Sequence, residues 1–377
     1  MNIFPQDSLT DTHSRRLFIV FIVLLAIFSS ISVFTRQHVV DGDAISYVDA
    51  MHVLEGASMD SSLVGQVSIA KYALLTTSLG LEIIIFLSLI FGKITTAWLV
   101  WDTIAYLSLN IIFYKLILMI FKRSKTAFVG ALFFAANYGL VIFGLTYFMD
   151  MGGWLFYGLS IYFLYSYVES STKRDLYLAA LSISVGALMK ESAPFACIPL
   201  FFVILYENRH SFSSFVKKIV PPSLIAIVPM LIQHLNMFIV FDYSYWQFVL
   251  LNHTIYHYKS KTAEYIKTFG SLLNFFAPVA LAGLFVILKS GRDRLREEFG
   301  MNDKKLVFIA SVLISSLPAV LWPGITQRVL FMVVPGLVMI SCFFVKRYEK
   351  YWYLSLALIA IYIVCSFNMD TILEVVN

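Results

Sequence analysis

Residues 17–34 read LFIVFIVLLAIFSSISVF and follow directly on Arg15 and Arg16. An α-helix of about 20 apolar residues crosses the hydrocarbon part of a bilayer, so this run predicts a spanning helix. The run has no clear small-x-small cleavage site, and we therefore expect a retained anchor instead of a removed signal peptide.

The composition extends this prediction to the whole chain of 377 residues. Hydrophobic residues make up 59% and charged residues only 14%, with a mean hydropathy of +0.81. We expect an all-α polytopic membrane protein, with a single transmembrane domain over residues 1–377 and no separate soluble domain. The net charge of +5 comes from short loops between apolar runs, which argues against nucleic-acid binding.

Apolar runs predict about 11 transmembrane helices. They lie at 17–35, 94–121, 126–148, 152–168, 176–190, 194–206, 219–241, 270–289, 306–321, 328–345 and 352–367. One further apolar run, 72–91, decides the topology, because every later loop changes side if it spans the membrane.

Charge counting favours an interfacial or re-entrant position for the 72–91 run. If it does not span, 19 of the 28 Lys and Arg residues are cytoplasmic, 8 are outside, and Lys115 lies within a helix. If it spans, the bias reverses, against the rule that short cytoplasmic loops are basic. Glu82 in the middle of the run agrees, since a carboxylate at the bilayer centre is costly. We predict a cytoplasmic N-terminus and an outer C-terminus.

This topology creates two long outer loops, 36–93 and 242–269. The first begins with Val40-Asp41-Gly42-Asp43-Ala44 and continues into an amphipathic stretch that predicts an interfacial helix. Its predicted apolar face comprises Ala44, Tyr47, Val48, Met51 and Leu54. Ser46, Asp49 and Val53 are predicted to lie away from it.

Most unusual polar residues fall on this outer side. They are Asp41, Asp43, Asp150, Lys190, Glu191, His253, His257 and Arg328. Asp102, about two turns into the 94–121 helix, is a further candidate because ionisable residues at membrane depth are usually functional. The sequence therefore predicts chemistry or recognition at the outer membrane face.

A first helix, an outer loop with Asp-x-Asp-x-x-x-Tyr and then interfacial helices resemble the GT-C superfamily of polyprenyl-phosphate-sugar-dependent glycosyltransferases. This superfamily includes lipid A aminoarabinose transferases and protein O-mannosyltransferases, and the resemblance covers Val40 to about Pro199. Asp43 and Tyr47 fit the aspartate and tyrosine of the first motif, but Ala44 stands where the family often has Glu.

Three later segments extend the resemblance. Leu89-Ile90-Phe91-Gly92 resembles the LFG ending of the interfacial segment, and Asp150 matches a later outer-loop aspartate. Residues 186–191, Gly-Ala-Leu-Met-Lys-Glu, resemble the GLxxxTKG hairpin, with Glu191 replacing the usual Gly.

The resemblance implies a base near the acceptor and cations near the departing phosphate. Asp43 is the candidate base. Asp41 could support it, or the two carboxylates could share a divalent cation, Mg or Mn.

The remaining candidates would contact substrate. Lys190 and Arg328 are the phosphate candidates. The other substrate-binding candidates are Tyr47, Asp150, Glu191, Asp102, His253 and His257, of which the two histidines could also take part in a metal site.

We therefore expect a glycosyltransferase that moves a sugar from a polyprenyl-phosphate donor to a lipid or glycan acceptor. The expected location is the outer face of a bacterial inner membrane, in cell-envelope polysaccharide synthesis, with membrane lipids as further partners. A transporter or flippase for a lipid-linked sugar, a polymerase or ligase using a diphosphate-linked donor, and a catalytically silent relative remain alternatives.

Overall fold

The computed structural model describes residues 12–35, 38–40, 42–56, 67–247, 266–268, 270–271, 276–317 and 327–368. All regular secondary structure in these ranges is helical, in agreement with the predicted all-α class. The α-helices are α1 Thr12–Thr35, α2 Asp43–Leu54, α3 Val67–Phe91, α4 Ile94–Phe121, α5 Ser124–Ala135, α6 Tyr138–Phe143, α7 Asp150–Ser170, α8 Lys173–Met189, α9 Cys197–Glu207, α10 Phe212–Phe241, α11 Ala277–Phe299, α12 Asp303–Ile314, α13 Gln327–Leu330, α14 Val333–Arg347 and α15 Trp352–Phe367.

Among the described residues, five helical segments are long and apolar enough to cross a membrane. They are Thr12–Thr35, Val67–Phe91, Ile94–Phe121, Phe212–Phe241 and Glu349–Phe367. They agree with a multi-pass membrane protein, whereas the count of 11 spans stays a prediction. Helix α3 is among the five by length and composition, so its interfacial position also stays a prediction.

The predicted helix 126–148 is wrong as a continuous element. Helix α5 ends at Ala135, α6 begins at Tyr138, and residues 144–149 are not helical. Asn137 explains the first break, because its side-chain oxygen accepts a 3.0 Å hydrogen bond from the Gly139 amide and caps a new helix. Its amide nitrogen donates to the Tyr362 hydroxyl at 2.7 Å and ties this corner to α15.

Other predicted helices also differ from the observed ones in their boundaries or continuity. The 328–345 segment is divided into α13 and α14 at residues 331–332. The 194–206 segment begins with a 3₁₀ turn, Ala193–Ala196, before α9. Helix α11 extends to Phe299 across a break at Gly291, whose φ of 65° lies in the left-handed region.

A large apolar core is formed mainly by α4, α5, α7, α8, α12 and α14. Gly283 of α11 shows how closely the helices approach, since a β-carbon there would clash with the Ile340 carbonyl oxygen of α14. Small residues permit this backbone contact, which drives helix association where lipid supplies no hydrophobic force. Helix α10, by contrast, exposes an apolar row that suits a lipid-facing surface. The row comprises Val220, Leu224, Ile227, Leu231, Leu235 and Phe238.

Charged residues meet at one end of the bundle, where several predicted cytoplasmic loops lie. Glu207, at the end of α9, pairs with Lys218 at 2.7 Å and with Lys304. Glu169 of α7 pairs with Lys305 at 2.7 Å. These contacts bring together loops that the charge bias assigns to the same membrane face.

Helix α2 forms where an amphipathic helix is predicted, but its buried face is shifted. Ala44, Tyr47 and Met51 are buried as expected, whereas Leu54 is 42% exposed. Ser46 and Asp49, predicted to lie away from this face, are buried. The pattern of apolar residues misses this, because α2 packs on α3 and beside α4 instead of resting on one face.

Candidate functional site

Four helix ends place charged side chains at a common site. Asp43 begins α2, Asp150 begins α7, Lys190 follows the last residue of α8, and Arg328 lies in α13. The two aspartates lie at helix N-termini and Lys190 lies at a helix C-terminus. Each charge therefore interacts favourably with its helix dipole.

Arg328 joins two carboxylates that are far apart in the sequence. Its Nη1 lies 2.7 Å from Asp43 Oδ2 and its Nε lies 2.7 Å from Asp150 Oδ2. The guanidinium carbon also lies 4.1 Å from the centroid of the Phe148 ring. These contacts fix the plane of the guanidinium group between α2 and α7.

Lys190 occupies a second, more buried arrangement. Its Nζ donates a 2.9 Å hydrogen bond to the Tyr47 hydroxyl and lies 3.6 Å from Glu191 Oε1. The same Glu191 oxygen accepts a 2.6 Å hydrogen bond from the Tyr72 hydroxyl. Helices α2, α3 and α8 thus all contribute to the position of the lysine.

Gly153 permits the close approach of α7 to the Lys190 turn. A β-carbon at Gly153 would lie 2.6 Å from Lys190 Cβ and 2.7 Å from Ser192 Oγ. The absence of a side chain at Gly153, in the first turn of α7, therefore sets the distance between Asp150 and Lys190.

Arg328 and Lys190 act on the ionisation of Asp43. Burial would raise the pKa of the Asp43 carboxyl, but the charge of Arg328, its hydrogen bond and the charge of Lys190 together lower this pKa. Asp43 is consequently an ionised carboxylate at neutral pH. Its side chain is 54% exposed, whereas that of Asp150 is 5% exposed.

Aromatic rings enclose one side of the site. The ring centroid of Trp98 lies 5.8 Å from that of Tyr47, in an edge-to-face arrangement, and 5.5 Å from that of Tyr147. These rings restrict water around the Tyr47–Lys190 hydrogen bond, which strengthens electrostatic interactions there.

The structure brings together most of the sequence-predicted site residues. They are Asp43, Tyr47, Asp150, Lys190, Glu191 and Arg328. Their roles stay predictions. Asp41, His253 and His257 lie outside the described residues.

Asp102 differs from the other candidates because it is completely buried. Neither carboxyl oxygen has a hydrogen-bond partner among the residues that the structure describes, and the charge of Asp150 acts on this carboxyl group. Its complete burial does not favour direct contact with a substrate.

Sequence reasoning missed Tyr72, Trp98 and Phe148. Tyr72 was predicted only as the start of an apolar run, although a tyrosine at the polar end of such a run has a hydroxyl available for a site. Trp98 and Phe148 had no distinguishing signal in a chain with 16% aromatic residues.

The described residues do not fit a complete metal site. No group of three His, Cys, Asp or Glu side chains in this part of the chain could hold a metal ion. Asp43 and Asp150 instead share the guanidinium of Arg328. The predicted divalent cation would depend on Asp41, whose structure is not described, and stays a prediction.

Residues 79–233 match the family described as dolichyl-phosphate-mannose-protein mannosyltransferase. The match includes Asp150, Lys190 and Glu191 but neither Asp43 nor Arg328. This family lies within the GT-C superfamily, so the resemblance to that superfamily is confirmed. No curated protein matches the chain.

Proposed function

We propose that this multi-pass membrane protein, with its GT-C-type segment, transfers a sugar from a polyprenyl-phosphate donor to a lipid or glycan acceptor. The family match supports a polyprenyl-phosphate-sugar-dependent glycosyltransferase in general terms. The observation that carries the proposal is the meeting of Arg328 and Lys190 with the exposed carboxylate of Asp43 at one end of the helix bundle.

The two cations suit the leaving group of this reaction. When the bond between the sugar anomeric carbon and the phosphate oxygen breaks, the oxygen keeps the bonding electron pair. The phosphate group therefore gains a second negative charge. Arg328 can bind phosphate oxygens through two donors, and Lys190 supplies a compact charge. Because both are fixed by neighbouring residues, they need little reorganisation as the charge develops.

Asp43 and Asp150 have different roles in this proposal. Asp43 is exposed and ionised, so it takes the proton of the acceptor hydroxyl or amine as the acceptor attacks the anomeric carbon. Asp150 is buried and holds Arg328 in place. It acts as a positioning residue, while Tyr47 and Glu191 position Lys190.

The outer membrane face is the proposed location of the reaction. The Lys and Arg bias of the predicted loops supports it, because the Asp43 site lies at helix ends assigned to the outside. The Glu207 cluster lies at helix ends assigned to the cytoplasm. A bacterial inner membrane is the proposed compartment, and the C-terminus is assigned to the outer side.

A transfer assay tests the proposal. The purified chain in lipid nanodiscs is given polyprenyl-phosphate mannose with a labelled sugar, together with total membrane lipids and envelope glycans. We expect covalently labelled acceptor and free polyprenyl phosphate. Asp43→Asn should lower turnover by roughly 10²- to 10⁴-fold, whereas Glu55→Gln, an exposed acid at the end of the same helix, should not.

Other outcomes would support the alternatives. Movement of intact labelled donor across proteoliposomes without a covalent product would indicate a transporter or flippase. Transfer only from a diphosphate-linked oligosaccharide would indicate a polymerase or ligase. Loss of transfer on chelation, restored by Mg or Mn, would assign a divalent cation to Asp41 and Asp43.

A further inference from the structure

Both cations of the site already have carboxylate partners. Arg328 contacts Asp43 and Asp150, and Lys190 contacts Glu191. An incoming phosphate therefore competes with these carboxylates for the two cations.

The three carboxylates differ in how firmly they are held. Asp150 is 5% exposed and pairs with Arg328 Nε inside the protein. Glu191 is 29% exposed and is also held by Tyr72. Asp43 is 54% exposed, and among the residues that the structure describes its side chain pairs with Arg328 alone.

Exposure decides which carboxylate is easiest to displace. An ion pair with an exposed partner is weak, because water screens the attraction and solvates the released carboxylate. Breaking a buried pair leaves an uncompensated charge in a poorly solvated place and costs several-fold more. The contact between Asp43 and Arg328 is therefore the easiest of these carboxylate contacts to break.

We propose that the phosphate of the donor displaces Asp43 from Nη1 of Arg328, while Asp150 keeps Nε, and that this exchange releases Asp43 to accept the acceptor's proton. The inference rests on the proposed function. The chain thereby holds its own base in an ion pair until the lipid phosphate arrives.

The exchange conserves the pairing of the guanidinium group. Before binding, Arg328 has a carboxylate at each of two edges, and afterwards it has the Asp150 carboxylate and a phosphate oxygen. The released Asp43 carboxylate then receives a proton from the acceptor O–H or N–H as the new glycosidic bond forms. Donor binding must therefore precede activation of the acceptor.

Binding of a polyprenyl monophosphate, which cannot transfer a sugar, tests the exchange. The full-length chain in nanodiscs is titrated with this lipid. Asp43→Asn should bind it roughly three- to tenfold more tightly than the wild type, because the internal competitor is weakened. Asp150→Asn should bind it more weakly, and Glu55→Gln should match the wild type.

A double-mutant cycle distinguishes displacement of Asp43 from Arg328 from a general electrostatic effect of the Asp43 charge. Removal of the negative charge of Asp43 would strengthen the binding of any nearby anion, whether or not Asp43 contacts Arg328. In an Arg328→Gln background, the exchange proposal expects Asp43→Asn to have no further effect on affinity. An equal gain in both backgrounds would overturn the exchange. Asp43→Ala, with thermal stability checked first, repeats the test with a second side chain.

The two proposals fail in different ways. If the wild type binds the lipid phosphate but Asp43→Asn binds it equally or more weakly, the exchange is wrong and the proposed function stands. If the wild type neither binds the lipid phosphate nor transfers sugar, the proposed function is wrong as well.

Discussion

The side-chain amide of Gln233 in α10 donates a 3.0 Å hydrogen bond to the backbone carbonyl of Leu74 in α3. This carbonyl lies beside a kink, because Thr77 has φ −138° and ψ 17°, outside the helical region. The two preceding carbonyls, of Tyr72 and Ala73, accept from the hydroxyls of Thr76 and Thr77. Side-chain donors thus satisfy the backbone carbonyl groups in one turn of α3. This turn includes Tyr72, whose hydroxyl contacts Glu191.

Replacement of Gln233 should destabilise the protein. Gln233→Ala removes the donor to Leu74 and should lower the free energy of unfolding by about 0.5–1.5 kcal/mol, the range for one hydrogen bond in water or membrane. Thermal unfolding in detergent measures the change. Asn236→Ala, three residues away and exposed, is the control that should leave stability unchanged.

Loss of the Tyr72 hydroxyl should impair the Lys190 arrangement. Tyr72→Phe removes the 2.6 Å hydrogen bond to Glu191 and leaves that carboxylate free to move. We expect turnover to fall about five- to thirtyfold, because a hydrogen bond to a charged group contributes roughly 1.5–3 kcal/mol and only part of this acts on Lys190.

The readout for Tyr72 separates positioning from folding. Steady-state transfer kinetics should show the loss in turnover while the melting temperature changes by only a few degrees. Tyr177→Phe, an exposed tyrosine of α8, serves as the matched control. Equal turnover by Tyr72→Phe and the wild type would show that Glu191 needs no support from α3.

The Asp43–Arg328 pair should make stability depend on pH in the acidic range. The folded-state pKa of Asp43 is lowered, so its stabilisation is present above the unfolded pKa of about 3.9 and is lost as pH falls through the lower folded value. Since the Asp43 side chain is 54% exposed, solvent screening limits the effect to about 1 kcal/mol or less.

Thermal unfolding of Asp43→Asn across pH checks this sign. The wild type should be more stable than the variant by a constant amount between pH 8 and pH 5. This difference in stability should shrink below the pKa of an unfolded aspartate, about 3.9. A difference that grows on acidification would contradict the ion pair as the source of the shift.

Packing at Gly153 gives a further test of how the site is positioned. Gly153→Ala would place a methyl group 2.6 Å from Lys190 Cβ, so α7 and the Lys190 turn must separate. We expect a destabilisation of about 1–3 kcal/mol and weaker binding of lipid phosphate. Gly152→Ala is the matched control, since its nearest contact is the flexible end of Met189 at 3.0 Å.

The sequence alone determined the class of the protein and the composition of most of the site. Apolar runs require helices, because a backbone in lipid must satisfy its hydrogen bonds internally. Charge bias grouped Asp43, Asp150, Lys190 and Arg328 on one face, and the structure places these four residues at one end of the bundle.

Only the tertiary structure decided which charges pair and which helices break. Asp43 and Arg328 are 285 positions apart, and no periodicity or spacing relates residues at that distance. The break at Asn137 depends on a capping side chain that also bonds to Tyr362, a contact between distant helices. The difference in side-chain exposure between Asp43 and Asp150 arises from packing around α7. Burial is a property of the assembled helices and not of a residue type.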